Sequence, residues 1–235
     1  MKWLAAVQRA RHDPNVPNLV HSRMRSEKIF EELLAMKLMS SPLSPYGRKV
    51  KIAAGMKGLT DKIELLPTDT NKGDDALNKL NPLGKIPCLI TDDGEAVFDS
   101  HVICEYFDVV GSGPELFPKS GAERWRTLTA GALADGILDA ALLLVYEGRF
   151  RPENMKVQAW VDRQQAKIDR SLAQLEKAPP AWKSNPDYGH LTLACALGYL
   201  DFRHGGKWRA GHPKLVKWLD EFAAVVPAFE ATRPS

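Results

Sequence analysis

Cysteine is scarce. Cys88, Cys104 and Cys195 are the whole complement, far apart, odd in number and each set among apolar neighbours. That excludes a disulfide framework, and the lack of any C-x-x-C or metal-ligand spacing removes a dithiol redox motif and a metal site. Buried thiols in a reducing, cytoplasmic setting are the expectation. No run reaches the roughly 18 apolar residues that a membrane span needs. The short patch Leu4-Ala5-Ala6-Val7 is broken by Gln8 and Arg9 before a signal-peptide core can form. An excess of one charge is missing too: of the formal +3, the first 35 residues carry six basic against four acidic side chains, which leaves +1 for the other 200. Neither a nucleic-acid surface nor a membrane surface is expected. There is no internal repeat and no low-complexity run.

Apolar material is plentiful. With 235 residues, 44% of them hydrophobic, the chain can bury a good core and should form one or two globular domains. Residues 1–35 are polar and lack a sustained period, so this extension is expected to be weakly ordered or a short helix. Met36 is a second possible start that opens directly into the first convincing strand.

From Lys37 the pattern alternates. Lys37–Ser40 reads as a strand; Tyr46, Val50, Ala53 and Ala54 follow at helical spacing, with Gly58 placed to end the helix. Ile63–Leu66 is a second strand and Gly73–Leu80 a short helix closed by Asn81-Pro82. Ile86–Ile90 and Ala96–Phe98 are two strands joined at the hairpin dipeptide Asp93-Gly94, and Ser100 caps a helix through Phe107. This order fits a small sheet with one parallel unit and one hairpin, covered by helices. Turn residues cluster at Gly111-Ser112-Gly113-Pro114, and every later segment is helical: about 122–147, 153–177, 188–203 and 213–225. In the second of these, Val161, Gln164, Ile168, Leu172 and Leu175 share one face, a bundle seam. The expected divisions are therefore 1–35, 36–110 and 111–235.

Ser44 admits two readings. Serine is a favoured N-cap and proline a favoured first helical residue, so Ser44-Pro45 needs no function at all. The same serine also follows the first strand at a helix N-terminus, where free backbone N–H groups and the helix dipole favour an anion.

The stretch Ser44-Pro45-Tyr46-Gly47 occupies the place of the C-P-Y-C site of glutaredoxins, with serine for the first cysteine and glycine for the second. In the same frame come Asn81-Pro82-Leu83-Gly84-Lys85-Ile86-Pro87 and Asp99-Ser100. Together these resemble the N-terminal domain of cytosolic glutathione S-transferases. Ala132-Leu133-Ala134-Asp135-Gly136-Ile137 and the segment Cys195–Arg203 resemble the second domain of a bacterial, serine-type subgroup. The resemblance covers about residues 36–230.

The resemblance implies an α/β thioredoxin-like N-terminal domain followed by an all-α helical bundle, with glutathione as co-substrate and no metal. Thiol–disulfide exchange would not survive the loss of both cysteines, but the Ser44 hydroxyl would still donate to the sulfur of glutathione and favour thiolate over thiol. Ile86-Pro87 matches the family's cis-proline, whose preceding backbone groups pair with the cysteinyl part of glutathione. Asp99 and Ser100 would receive the γ-glutamyl end, and Lys85 the glycyl carboxylate. A hydrophobic electrophile would sit between the domains, near Tyr46, Trp125, Tyr146 and Arg149. The implied protein is a cytoplasmic homodimer that conjugates glutathione or reduces peroxides with it. Two rivals stand beside it: a binding module that keeps the fold without catalysis, and an enzyme with Cys88 as nucleophile, which would need that thiol exposed.

Three further expectations come from the residues themselves. Arg48, in the first turn of its helix, reads as a surface side chain. Asp135 and Asp139, four apart in an apolar helix, need partners and suit a subunit interface or pocket edge. Asp187 is the natural N-cap of the helix that begins at Tyr188, and with His190 three residues on, a reciprocal capping box is not expected.

Overall fold

Met36–Ser40 forms β1, and its buried residues Met36, Leu38, Met39 and Ser40 place it inside a four-stranded sheet of order β2-β1-β3-β4. The computed structural model describes residues 36–234 except Asp74 and Lys183, so the expectation for 1–35 lies outside the described residues. β2 (Ile63–Pro67) runs parallel to β1, with Met36 opposite Ile63. β3 (Cys88–Ile90) is antiparallel, with Met39 opposite Cys88, and β4 (Ala96–Val97) pairs antiparallel with β3, with Leu89 opposite Val97. This is the mixed sheet the sequence pattern predicts.

The crossover between β1 and β2 is α1 (Pro45–Met56). Ser44 caps it, Pro45 occupies its first turn, and Gly58 beyond its end takes φ +64. α2 (Asp75–Leu80) begins two residues later than expected, and β3 begins only after Pro87, which has no N–H for a strand ladder. α3 (Ser100–Val110) runs three residues past the expected end. Its N-cap is Asp99, whose carboxylate accepts from His101 N–H at 3.0 Å, so Ser100 is the first helical residue and not the cap.

The remaining elements are α4 (Gly121–Phe150), α5 (Gln158–Lys177), α6 (Tyr188–His204), α7 (Pro213–Val225) and the single turn α8 (Ala228–Ala231). α5 starts later than the pattern suggests because Glu153–Met155 is a separate 3-10 turn. Its seam is real: Gln164, Ile168 and Leu172 are buried. α6 is buried from Tyr188 to Leu200, hydrophobic all round as a central helix must be. The segment between α3 and α4 is pinned by Asp108, which accepts from Leu116 and Phe117 N–H and pairs with Lys57 at 2.9 Å.

Two expectations are corrected here. Asp187 does cap α6, but His190 takes the box position as well, with its Nδ1 3.1 Å from Asp187 N–H while Asp187 accepts from His190 N–H. A short side chain with a properly placed ring nitrogen substitutes for Glu or Gln. Asp135 and Asp139 need no second subunit to be partnered: Asp135 pairs with Lys49, and Asp139 accepts from the Tyr46 hydroxyl. α4 is long and apolar enough to cross a bilayer by length and composition. Its Ala134, Ile137, Leu138, Ala140 and Ala141 are instead buried in the same core as α1, α3 and α6.

Candidate active site

The sheet register decides which loops meet. Because Met39 faces Cys88 and Leu89 faces Val97, the last residue of β1, the Ile86-Pro87 segment before β3 and the Asp99-Ser100 segment after β4 lie at one end of the sheet. Ser44, four residues beyond β1, stands at that end too.

Ser44 is half-buried and extended (φ −79, ψ 120), the conformation of an N-cap, and its Oγ accepts from Gly47 N–H at 3.1 Å. A hydroxyl has one proton and two lone pairs, so capping leaves the proton free to donate outward. Pro45 contributes no N–H, and the positive end of the α1 dipole faces the same space. Gly47 is dictated by packing: a Cβ there would lie 2.2 Å from Ser40 Oγ, a buried hydroxyl with no hydrogen-bond partner. A second cysteine in this motif would have to displace Ser40 first.

The neighbouring segment is shaped by Asn81, a buried residue not singled out from the sequence. Its side chain donates to the Lys85 carbonyl at 2.8 Å and accepts from Leu83 N–H at 3.1 Å, which bends the loop back toward the sheet. The Ile86–Pro87 peptide is cis, as the resemblance implies. Pro87 is buried, Ile86 half-buried and Lys85 exposed. Across the end of the sheet, Asp99 is exposed and Ser100 buried at the start of α3.

Tyr46 is set apart from Ser44 by its partner. Its hydroxyl donates to Asp139 of α4, and burial together with that carboxylate pushes the phenol well above its ordinary value near 10. It is locked as a neutral group whose proton is already committed. The cysteines are equally inert: all three are free and buried, and burial raises each of them, Cys195 to about 11. Cys88, fully buried, lacks the exposure that a nucleophilic role requires.

Next to Ser44 is a crevice of about 10 Å³ lined by Ser44, Pro45, Arg48, Cys195, Tyr199 and Pro234. Tyr146 lies two turns from Asp139 on α4, on the face that Tyr46 meets, with Arg149 Cζ 5.9 Å from its ring. Trp125 does not belong with them. It is exposed and precedes Tyr146 by 21 residues of the same helix, about 31 Å at 1.5 Å per residue.

Arg48 is the plainest departure from expectation. It is buried, its Nη2 donates to the Phe229 carbonyl at 2.7 Å, and its Cζ stands 4.1 Å from the Phe229 ring. The next residue, Lys49, is buried as well; its Nζ donates to Asp135 at 2.7 Å and to the Tyr188 hydroxyl at 3.1 Å. Neither was expected. The only cue in the sequence was three cations, Arg48, Lys49 and Lys51, within four residues of a helix, beside a later apolar helix that carries Asp135 and Asp139. Among the described residues no cluster of three or more His, Cys, Asp or Glu side chains is arranged to hold a metal.

Comparison with known proteins gives one consistent picture. Residues 43–110 match the family of glutathione S-transferase N-terminal domains, and 158–221 that of the C-terminal domains. The Escherichia coli (strain K12) uncharacterized GST-like protein YibF is 38% identical over 190 residues, 79% of this chain and 92% of its own. A crystal structure of a glutathione transferase family member from Pseudomonas fluorescens Pf-5 with bound glutathione is 43% identical, with a TM-score of 0.80 over 85% of this chain and 99% of that one. A second structure described in the same terms, with bound S-(propanoic acid)-glutathione, is 40% identical with a TM-score of 0.76 over 85% of this chain and 100% of that one.

Proposed function

The chain belongs to the glutathione S-transferase family, and from that premise we propose that it is a glutathione transferase in which Ser44 holds the sulfur of glutathione as a thiolate. The observation that carries this is the Ser44 geometry: a cap that accepts from Gly47 N–H and keeps its own proton to give. Tyr46, the neighbouring hydroxyl, has no proton to spare. In this reading Asp99 and Ser100 receive the γ-glutamyl end of glutathione, the backbone of Ile86 beside Pro87 its cysteinyl part, and Lys85 the glycyl carboxylate. The glutathione-bound neighbours support the co-substrate.

The chemistry asked of the protein is small. Glutathione loses its thiol proton to solvent, and the sulfur lone pair forms a bond to an electrophilic carbon. Either a leaving group departs with its bonding pair or an activated double bond takes up a proton. Lowering a thiol from about 8.5 to about 6.5 raises the thiolate from a few per cent to most of the population at pH 7, for roughly 2.7 kcal/mol. Two or three hydrogen bonds to the charged sulfur supply that much. The electrophile would rest against Tyr146, Arg149 and the Tyr46 ring. The apolar residues exposed on α3 (Val102, Val109 and Val110), with Trp125 on α4, give a second copy a surface to pack on, and a cytoplasmic homodimer is part of the proposal.

Initial rates of conjugation with an activated aryl halide at pH 6.5, beside rates with an organic hydroperoxide, test it. Ser44→Ala should lower conjugation about 10²-fold, the usual cost of one lost transition-state donor, with glutathione affinity little changed. Tight glutathione binding with no turnover of either substrate by the native protein would support a binding module instead.

A further inference from the structure

A cavity of about 250 Å³ lies between α6, α7 and α8 and shares Arg48 and Pro234 with the crevice beside Ser44. It is a little below the range of about 300–1,000 Å³ typical of drug-sized ligands. Its apolar walls are Phe202, Leu219, Ala223 and Phe229, and the Arg48 guanidinium is set among them. Arg48 is 5% exposed, its Nε has no hydrogen-bond partner, and no carboxylate among the described residues lies within ion-pairing distance of it. Burial lowers its affinity for its own proton, and the pull of Glu230 and Asp201 from beyond ion-pairing distance does not make up for it. A buried charge without a counter-charge is a costly thing to keep.

The carboxylates around the cavity act on it only at a distance. Asp201 is held by Arg209 through contacts of 2.8 and 2.6 Å and also accepts from Trp208 Nε1. Glu230 pairs with Arg233 at 2.6 Å. Asp220 is exposed to solvent at the rim. Formal charges therefore balance across the lining, but each well-placed carboxylate already has its own arginine, and the surplus cation is the buried one. Arg48 has five N–H donors and spends one on the Phe229 carbonyl.

We infer that this cavity is a binding site for a small organic carboxylate with an aromatic or aliphatic body, separate from the site at Ser44. The carboxylate takes the planar guanidinium fork of Arg48, for which it is the natural match. Its apolar body lies against Phe202, Leu219 and Ala223. The inference does not rest on the reading of Ser44, since no residue assigned to glutathione lines this cavity.

Calorimetry on the full chain tests it, with benzoate as the probe and benzamide as its uncharged counterpart. Benzoate should bind with a Kd of about 1 mM or tighter, and benzamide at least tenfold more weakly. Arg48→Met should abolish the preference for the anion. Ala223→Phe, which fills the cavity and leaves the guanidinium in place, should abolish binding of both, and glutathione titrated into each variant checks that the fold is intact. Absence of benzoate binding at about 10 mM would overturn the inference and leave Arg48 as a clamp on the Phe229 carbonyl. Equal binding to the native protein and Arg48→Met, or competition of benzoate with glutathione, would overturn it as well.

Discussion

Lys49 has no exposed surface, and the nearest negative charge is the partly exposed Asp135. The two ends of this pair are unequal. Removing Asp135 strands an ammonium in the core, whereas removing Lys49 leaves a carboxylate that still accepts from the Tyr188 hydroxyl at 3.0 Å and reaches water. Asp135→Ala should therefore cost about 3 kcal/mol and Lys49→Met about 1 kcal/mol, read from urea denaturation midpoints. Equal costs would mean that the pair is held by packing and not by charge. Almost none of this was legible in the sequence. A cation in the first turn of an amphipathic helix is normally solvated, and what buries Arg48 is a carbonyl 181 residues away. The cap at Ser44 was legible, because capping is local chemistry written in the adjacent Pro45 and Gly47.

Helix ends follow the same logic one level up. The start of α6 is built by Asp187, which takes hydrogen bonds from His190 N–H at 3.1 Å and Thr127 Oγ1 at 2.5 Å. Burial opposes its ionisation, yet the His190 ring, the Thr127 hydroxyl and the His190 N–H together outweigh burial and hold the carboxyl below the ordinary aspartate value. A depressed folded pKa stabilises above the unfolded value of about 3.9 and gives that stability up as the pH falls through the folded one. Asn caps as well as Asp does, so Asp187→Asn isolates the charge. Its penalty in thermal melts should be full above about pH 5 and shrink below about pH 4; a penalty independent of pH would show that the charge contributes nothing. Sequence periodicity placed the long helices well, α7 at its observed bounds. It erred at α3, where Ser100 and Asp99 are both good caps and only the backbone chooses between them.

The two parts of the molecule meet on α1. Tyr46 reaches Asp139, Lys49 reaches Asp135 and Arg48 reaches Phe229, so the helix whose first turn displays Ser44 is fixed by α4 and by the end of the chain. Fold class was readable because a sheet with helices and a run of helices have different periods. The pocket was not. Tyr46, Trp125, Tyr146 and Arg149 were grouped by residue type, although the helix expected over 122–147 already set Trp125 about 31 Å from Tyr146. The proposed thiolate site rests on a serine carried by a helix that is fixed from both sides. The direct test is the ultraviolet absorbance of the glutathione thiolate bound to the full chain, followed against pH for the native protein and Ser44→Ala, with occupancy set by calorimetry. The account predicts a bound thiol titrating near 6.5, well below a free thiol at about 8.5, and moving back up in the variant while affinity is nearly unchanged. A bound thiol that titrates like free glutathione in both proteins would contradict it.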